Sequence, residues 1–541
     1  MNLKKSLAFS ILLLAQGACA EEYSLDIARQ VVNITGHAVE KITVNGTLPA
    51  PTLQFTEGSE AIIHVSNHMN EPTSVHWHGI LLPGEMDGVE HLNGYHDIAA
   101  GETFTYHFKV RQSGTYWYHA HTNGQEQDGL YGALVFKPAG KDPITSDRDY
   151  TVVLSDFSDE DSAGILANLK ISSDYYNRAR RTIGDFINDV KAKGFKRAWH
   201  NAKNWNSMRM SPTDLADVSG YTFLVNGKTA EQNWTGVFKP GEKVRLRFIN
   251  ASAMSFYDVR LLDTDNRRLK MNVVQADGQN VEPVDVDEFR ISVAETYDVI
   301  VTPTENKAYT IVAEPIDRSG FALASLAPQE GMKGEMPVHR PRALLTMADM
   351  GTEMDMSDMD HSTMTDDEMT DMANAMKSGW ADAGTPRGDK ALAYADLRYA
   401  GIQKDTRAPD REIRVHLGDN MQRYVWTLNS KTYEHAEPIQ LKFGERVRLV
   451  FVNDTMMAHP MHLHGMFVQL ENGQPAEKLP NKHTVIVAPG QSYSVLLTAD
   501  EPGEWAFHCH LLYHMASGMM NKIVVATLAA PAHDVVAPHV H

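Results

Sequence analysis

The residues with the most chemistry stand near the C-terminus, in His508-Cys509-His510-Leu511-Leu512-Tyr513-His514, with Met519 shortly after. On an extended strand, alternate side chains leave opposite faces, so His508 and His510 share one face and Cys509 takes the other. One strand can therefore touch two metal centres at once. Cys509, His514 and Met519 offer a thiolate, an imidazole and a weak thioether. A second histidine would complete the ligand set of a blue-copper electron-transfer site.

Three further pairs repeat the spacing. His76-Trp77-His78-Gly79 and His119-Ala120-His121 lie in the first quarter of the chain, and His459-Pro460-Met461-His462-Leu463-His464-Gly465 lies in the last. The four pairs give eight imidazoles, enough to hold three coppers, and their origin at both ends of the chain predicts a cluster between the first and last domains. Structural zinc prefers closed four-ligand sets with C-x-x-C or H-x(3-5)-H spacing, which these motifs lack. His37, His64, His68, His91, His96, His107, His200, His416, His435 and His483 stand outside the pairs and read as ordinary strand or surface histidines.

Positioning these pairs requires strands, and the chain repeats them. Gly58-Ser59-Glu60 runs to Asn67, Gly241-Glu242-Lys243 to Asn250, and Gly444-Glu445-Arg446 to Asn453, each a glycine-led turn followed by an alternating strand. Self-similarity at this wide spacing predicts three copies of one domain. Gly114-Thr115-Tyr116-Trp117-Tyr118-His119 recurs as Gly503-Glu504-Trp505-Ala506-Phe507-His508, while the middle copy has Tyr309-Thr310-Ile311-Val312-Ala313 and no ligand. Short strands between Gly, Pro and Asn turns predict an all-β fold of three Greek-key sandwiches. The expected boundaries are 21–140, 141–345 and 386–528. A helical insertion is expected at about 159–218, where Ile183, Phe186, Ile187 and Val190 form an amphipathic stripe that would pack on the sandwich.

The 541 residues suffice for several domains, and the formal charge of −19 argues against nucleic acid as a partner. Residues 1–20 read as a secretory signal: Lys4-Lys5, an apolar run too short to span a membrane, then Ala18-Cys19-Ala20. Gln16 stands where a lipid-modification box has an apolar residue, and the lysines are no twin-arginine signal, so a soluble exported, periplasmic protein is expected. Cleavage would leave Cys509 as the one thiol of a chain in an oxidising compartment, and a metal gives it a purpose. Residues 346–385 read as an acidic linker, with nine methionines between 347 and 376 and His361 among them. Disorder is the structural default there, and thioethers also select Cu(I). The tail, 529–541, carries His533, His539 and His541, which either bind metal weakly or play no part.

The four motifs resemble those of the multicopper oxidases. Residues 111–119, Ile165-Leu166-Ala167-Asn168-Leu169, Ser173-Asp174-Tyr175-Tyr176-Asn177, Tyr394-Ala395-Asp396-Leu397 and the Met-rich segment are similar to the bacterial copper-resistance protein A branch, whose members usually carry a twin-arginine signal. The resemblance implies three cupredoxin domains and four copper ions. It implies that His459, Cys509, His514 and axial Met519 bind type 1 copper, and His76 and His462 type 2. His78, His119, His121, His464, His508 and His510 would bind the type 3 pair. Electrons would pass from a donor to the type 1 copper, through Cys509 to His508 or His510, and on to O2. Asp87, before Gly88, aligns with an acid near the type 2 copper of laccases. Asp128, before Gly129, is a second candidate, and a turn role competes for each.

The resemblance implies O2 as acceptor, Cu(I) or phenolic donors, additional Cu(I) in the Met-rich segment and periplasmic copper carriers. No stretch is long and apolar enough to span a membrane, and a monomeric chain is expected. The leading reading is a periplasmic oxidase of Cu(I) serving copper resistance. A general laccase and a non-enzymatic copper-sequestration protein are the alternatives. A two-domain nitrite reductase needs fewer repeats and fewer paired histidines.

Overall fold

The computed structural model describes residues 20–207, 211–342, 344–346, 384–420 and 422–526. The signal stretch with Cys19, the Met-rich segment with His361 and the tail with its three histidines therefore lie outside the described residues. Among the described residues six β-sheets follow one another in pairs along the sequence. Among the described residues no helix is long and apolar enough to cross a membrane.

The three repeated strands occupy equivalent places. Glu60–Asn67, Val244–Asn250 and Arg446–Asn453 each pair in parallel with the first strand of their unit, Ala20–Asn33, Arg148–Phe157 and Arg411–Asn420. The terminal asparagine explains why the pattern recurs. Asn67, Asn250 and Asn453 are buried, and each amide donates to carbonyls of the following loop and of a distant segment: Glu71 and Ile98, Ser255 and Ile291, Met457 and Val487. Each side-chain oxygen accepts from the backbone N–H two residues on, in Met69, Ser252 and Thr455. A buried amide with its donors and acceptor satisfied fixes a loop in a way an apolar residue cannot.

The ligand-bearing strands lie in the other sheet of the first and third pairs. His76–His78 runs antiparallel to Gly114–His119, with His76 opposite His119. His459–Leu463 runs antiparallel to Gly503–Cys509, with Met461 opposite Cys509 and His462 opposite His508. In the middle unit Tyr309–Pro315 pairs with Tyr257–Leu262 and carries no histidine.

The middle unit positions the third through buried charge. Lys482 is fully buried, with Asp277 at 3.0 Å and Glu295 at 2.9 Å. Asp277 also accepts from the backbone N–H groups of His483 and Thr484. Residues 391–399 return to the middle sheet, with bridges Glu288–Ala391 and Val281–Tyr399, before the third unit starts.

The insertion holds three helices, Ser162–Ile171, Ile183–Lys193 and Phe195–Ser207. Asp161 caps the first, and Thr182 and Asp185 form a capping box on the second. The expected packing of the Ile183 stripe on the sandwich is not what forms. No residue of Ile183–Lys193 is buried, and Phe186 packs instead against Phe195 and Trp199 of the next helix. An apolar period predicts a helical face but not what that face meets.

Candidate metal centres

The cysteine centre is assembled by one strand end and the short helix after it. Gly503–Cys509 delivers the thiol, and Leu512–Ala516 turns His514 back toward it. Cys509 Sγ lies 3.5 Å from His459 Nδ1 and 3.7 Å from His514 Nδ1, and the two nitrogens are 3.2 Å apart. Met519, fully buried, is tied in by its N–H to the His514 carbonyl and its carbonyl to the Cys509 N–H. The outer ring nitrogens are held: His459 Nε2 by Thr455 Oγ1 at 2.7 Å, and His514 Nε2 by Asp217 Oδ2 at 2.8 Å. Trp426 stacks on the His514 ring at 3.7 Å.

Burial pushes the Cys509 thiol up and the His459 imidazole well down. Protein alone therefore keeps this group neutral. A soft cation reverses the preference at the sulfur, because binding exchanges the thiol proton for a metal bond.

The second centre gathers the four pairs. His76 and His464 stack at 3.8 Å, as do His78 and His462, so pairs from opposite ends of the chain interleave. Outward nitrogens donate to fixed acceptors: His76 Nδ1 to the Asp87 carbonyl, His119 Nδ1 to the Ala120 carbonyl, His462 Nδ1 to the His483 carbonyl and His508 Nδ1 to the Cys509 carbonyl. Inward, His76 Nε2, His78 Nδ1, His119 Nε2, His462 Nε2 and His510 Nε2 are buried with no hydrogen-bond partner among the described residues. His464 Nε2 is 3.1 Å from His508 Nε2, and His121 Nε2 is 3.5 Å from the same atom.

Buried polar atoms left unpaired are costly, and so many aimed at one another suit metal ions rather than a folded core. Burial and mutual repulsion push His78, His119, His121, His462, His464 and His510 well below the usual histidine range, and His508 down to about 4, so these rings stay neutral ligands. Within the cluster, three-residue sets with ligand atoms close enough for one ion include His76, His78 and His119, then His76, His462 and His464, and His121, His464 and His508. His459, Cys509 and His514 form a separate set.

The two candidate acids part company. Asp87 is 1% exposed, with Oδ2 2.8 Å from His464 Nδ1 and Oδ1 3.4 Å from His76 Nδ1. Its carboxylate bridges histidines from both ends of the chain. Asp128 is instead engaged by the Ser162 N–H at 2.9 Å and hydroxyl at 3.1 Å, with Lys41 and Arg29 within 4 Å. The expectation of an acid serving the cluster therefore fails at Asp128, which anchors the inserted helix to the first unit.

Three residues escaped the sequence reading. Glu126 is buried, its Oε2 is 2.8 Å from His119 Nδ1, and burial raises its carboxyl well above the ordinary range. Its nearness in sequence to His121 was the available signal. His483 breaks the reading of an ordinary strand histidine: its Nδ1 is 3.1 Å from His78 Nε2, and it joins His78 and His462 in another set. Asp217 comes from the insertion of the middle unit, and nothing in spacing pointed to it. Of the other lone histidines, His64, His68, His107 and His416 pair with surface carboxylates, and His37, His96 and His200 are exposed.

Family models described as multicopper oxidase match residues 26–141, 172–330 and 406–528. The chain is 44% identical to a copper resistance protein A homolog of Pseudomonas syringae pv. tomato, over 94% of this chain and 93% of that protein. It is 42% identical to copper resistance protein A of Escherichia coli, over 97% and 95%. Among solved structures it resembles Fet3p, a multicopper oxidase that functions in iron import, with TM-score 0.68 and 21% identity over 94% of this chain and 90% of that one. A laccase from Botrytis aclada gives TM-score 0.66 at 21% identity, over 94% and 88%.

Proposed function

The chain belongs to the multicopper oxidases, enzymes with type 1, type 2 and type 3 coppers, and from that premise we propose that it oxidises Cu(I) to Cu(II) in the periplasm as part of copper resistance. In this reading His459, Cys509, His514 and Met519 hold type 1 copper, and His76 and His462 hold type 2. His78, His119, His121, His464, His508 and His510 hold the type 3 pair. Bound there, the coppers supply one-electron acceptance at the cysteine and four-electron reduction of O2 to water at the histidines.

The chain's own residues do the rest. Cys509 is flanked covalently by His508 and His510, so one strand joins the two centres. Asp87 orients His464 through its carboxylate and His76 through its carbonyl, which places an acid beside the cluster. Burial of the cluster keeps bulk water out and strengthens each charge inside.

The observation that carries Cu(I) as donor is a cleft of about 790 Å³ against Trp426, the ring stacked on His514. Met456, Met457, Asp214, Asp419 and Asp174 line it, together with Arg180 and Arg181. Thioethers are soft ligands that select Cu(I), and the aspartates favour a cation over a neutral phenol. The relatives named for copper resistance support the same donor.

Oxygen consumption with Cu(I) and with a phenol, with and without residues 347–376, tests this. A cuprous oxidase loses more Cu(I) turnover than phenol turnover on the deletion, and a general laccase is indifferent. A sequestration protein loses bound copper with no change in oxygen uptake. Cys509→Ser abolishes oxidation in either enzyme and leaves sequestration intact.

A further inference from the structure

The helical pair Ile183–Lys193 and Phe195–Ser207 carries a surface that the oxidase chemistry does not use. Ile183 is 81% exposed, Ile187 48%, Phe195 63% and Trp199 58%. Phe195 and Trp199 lie nearly parallel, with ring centres 6.1 Å apart and planes at 13°, and Phe186 closes the ridge. Apolar side chains concentrated like this on a soluble surface mark a contact site.

Charge supplies the second observation. Residues 178–207 hold eight Lys and Arg against two Asp, in a chain whose formal charge is −19. Arg181 is paired with Asp189, and Lys193 lies near the same carboxylate. Lys191, Lys196, Arg197 and Lys203 have no carboxylate partner among the described residues, and Lys191, Lys196, Arg197 and Lys203 are exposed. Free cations beside protruding aromatic and Ile side chains are the composition of helices that lie in a membrane interface.

We propose that this helical pair docks the protein on an anionic lipid surface. The rings would enter the headgroup boundary and Lys191, Lys196 and Lys203, on the flank of the same face, would meet lipid phosphates. The shape favours lipid over a folded partner: the apolar side chains stand out as a ridge, which a deformable interface can receive without a matching groove. Phe186, Arg180 and Arg181 belong both to this helical region and to the cleft beside Trp426, so docking sets the cleft mouth close to the membrane. The remainder of the chain is acidic and opposes the approach, so attachment depends on anionic lipid and weakens with salt.

The test is co-sedimentation of the full copper-loaded chain with vesicles of phosphatidylglycerol and phosphatidylcholine in equal parts, against phosphatidylcholine alone, at low ionic strength. Binding is expected on the anionic vesicles alone. Lys196→Glu with Lys203→Glu weakens it at least about twentyfold, at roughly fivefold for each charge. Phe195→Ser with Trp199→Ser weakens it at least about tenfold. All four side chains are exposed, and retained visible absorption of the copper-thiolate centre reports that each variant is folded. Equal binding to neutral vesicles, no binding to either kind, or unchanged binding by both variants overturns the proposal. So does soluble polyglutamate binding the helical pair in preference to vesicles and independently of Phe195 and Trp199, which would assign the surface to an acidic polypeptide.

Discussion

Asp217 Oδ2 lies 2.8 Å from His514 Nε2, joining the insertion of the middle unit to a histidine of the cysteine centre 297 residues away. The same oxygen accepts from the Tyr424 hydroxyl at 2.6 Å. A carboxylate there fixes the tautomer that leaves His514 Nδ1 free to face Cys509, and its charge favours the more oxidised state of a bound metal. Asp217→Asn keeps the shape and removes the charge. The expected outcome is a retained blue absorption, a reduction potential raised on the order of tens of mV, and slower oxidation of cationic donors than of neutral phenols. An unchanged potential would sever Asp217 from donor oxidation.

Asp87 touches His464 and His76 together. Replacing it with Asn is expected to slow reoxidation by O2 by about 10- to 100-fold while the blue colour persists. Stopped-flow mixing of the reduced protein with O2 checks this. Unchanged oxygen turnover removes Asp87 from the scheme.

Lys482, Asp277 and Glu295 form a fully buried ion group between the middle and third units. Lys482→Met leaves two carboxylates there without their cation, which is expected to cost about 3–5 kcal/mol of stability. Because Asp277 also holds the backbone at His483 and Thr484, copper content at the histidine cluster should fall as well. Chemical denaturation and metal analysis of the same preparation read both effects.

The carboxyl of Asp214, on the cleft wall, is pushed up to about 8 by burial, with Asp217 and Asp174 adding repulsion. A carboxyl raised in the folded state stabilises the fold when protonated, fully at acid pH, and loses that contribution as pH rises through the folded value. Asp156 behaves likewise but only up to about 6. Between about pH 6 and pH 8 the share of that loss due to Asp214 is at most about 3 kcal/mol. Over that window the melting temperature of the wild type should fall by a few degrees relative to that of Asp214→Asn, in which the other titrating groups are unchanged. Parallel melts across that window exclude this role.

The sequence by itself determined the ligand types, their spacing and the repeat that carries them. Period-two geometry is local, so His508, Cys509 and His510 announce two faces wherever the strand lies. The buried asparagines at 67, 250 and 453 likewise sit at a fixed place in each strand. Tertiary structure alone decided which nitrogen of each ring faces inward, that His483 leans on His78, that Asp217 reaches His514, and that Asp128 serves Ser162 and Lys41 instead of the cluster. It also left the Ile183 stripe facing outward. Each of these depends on contacts between residues far apart in the chain, where packing of one sandwich on another sets the partner and no periodicity records it.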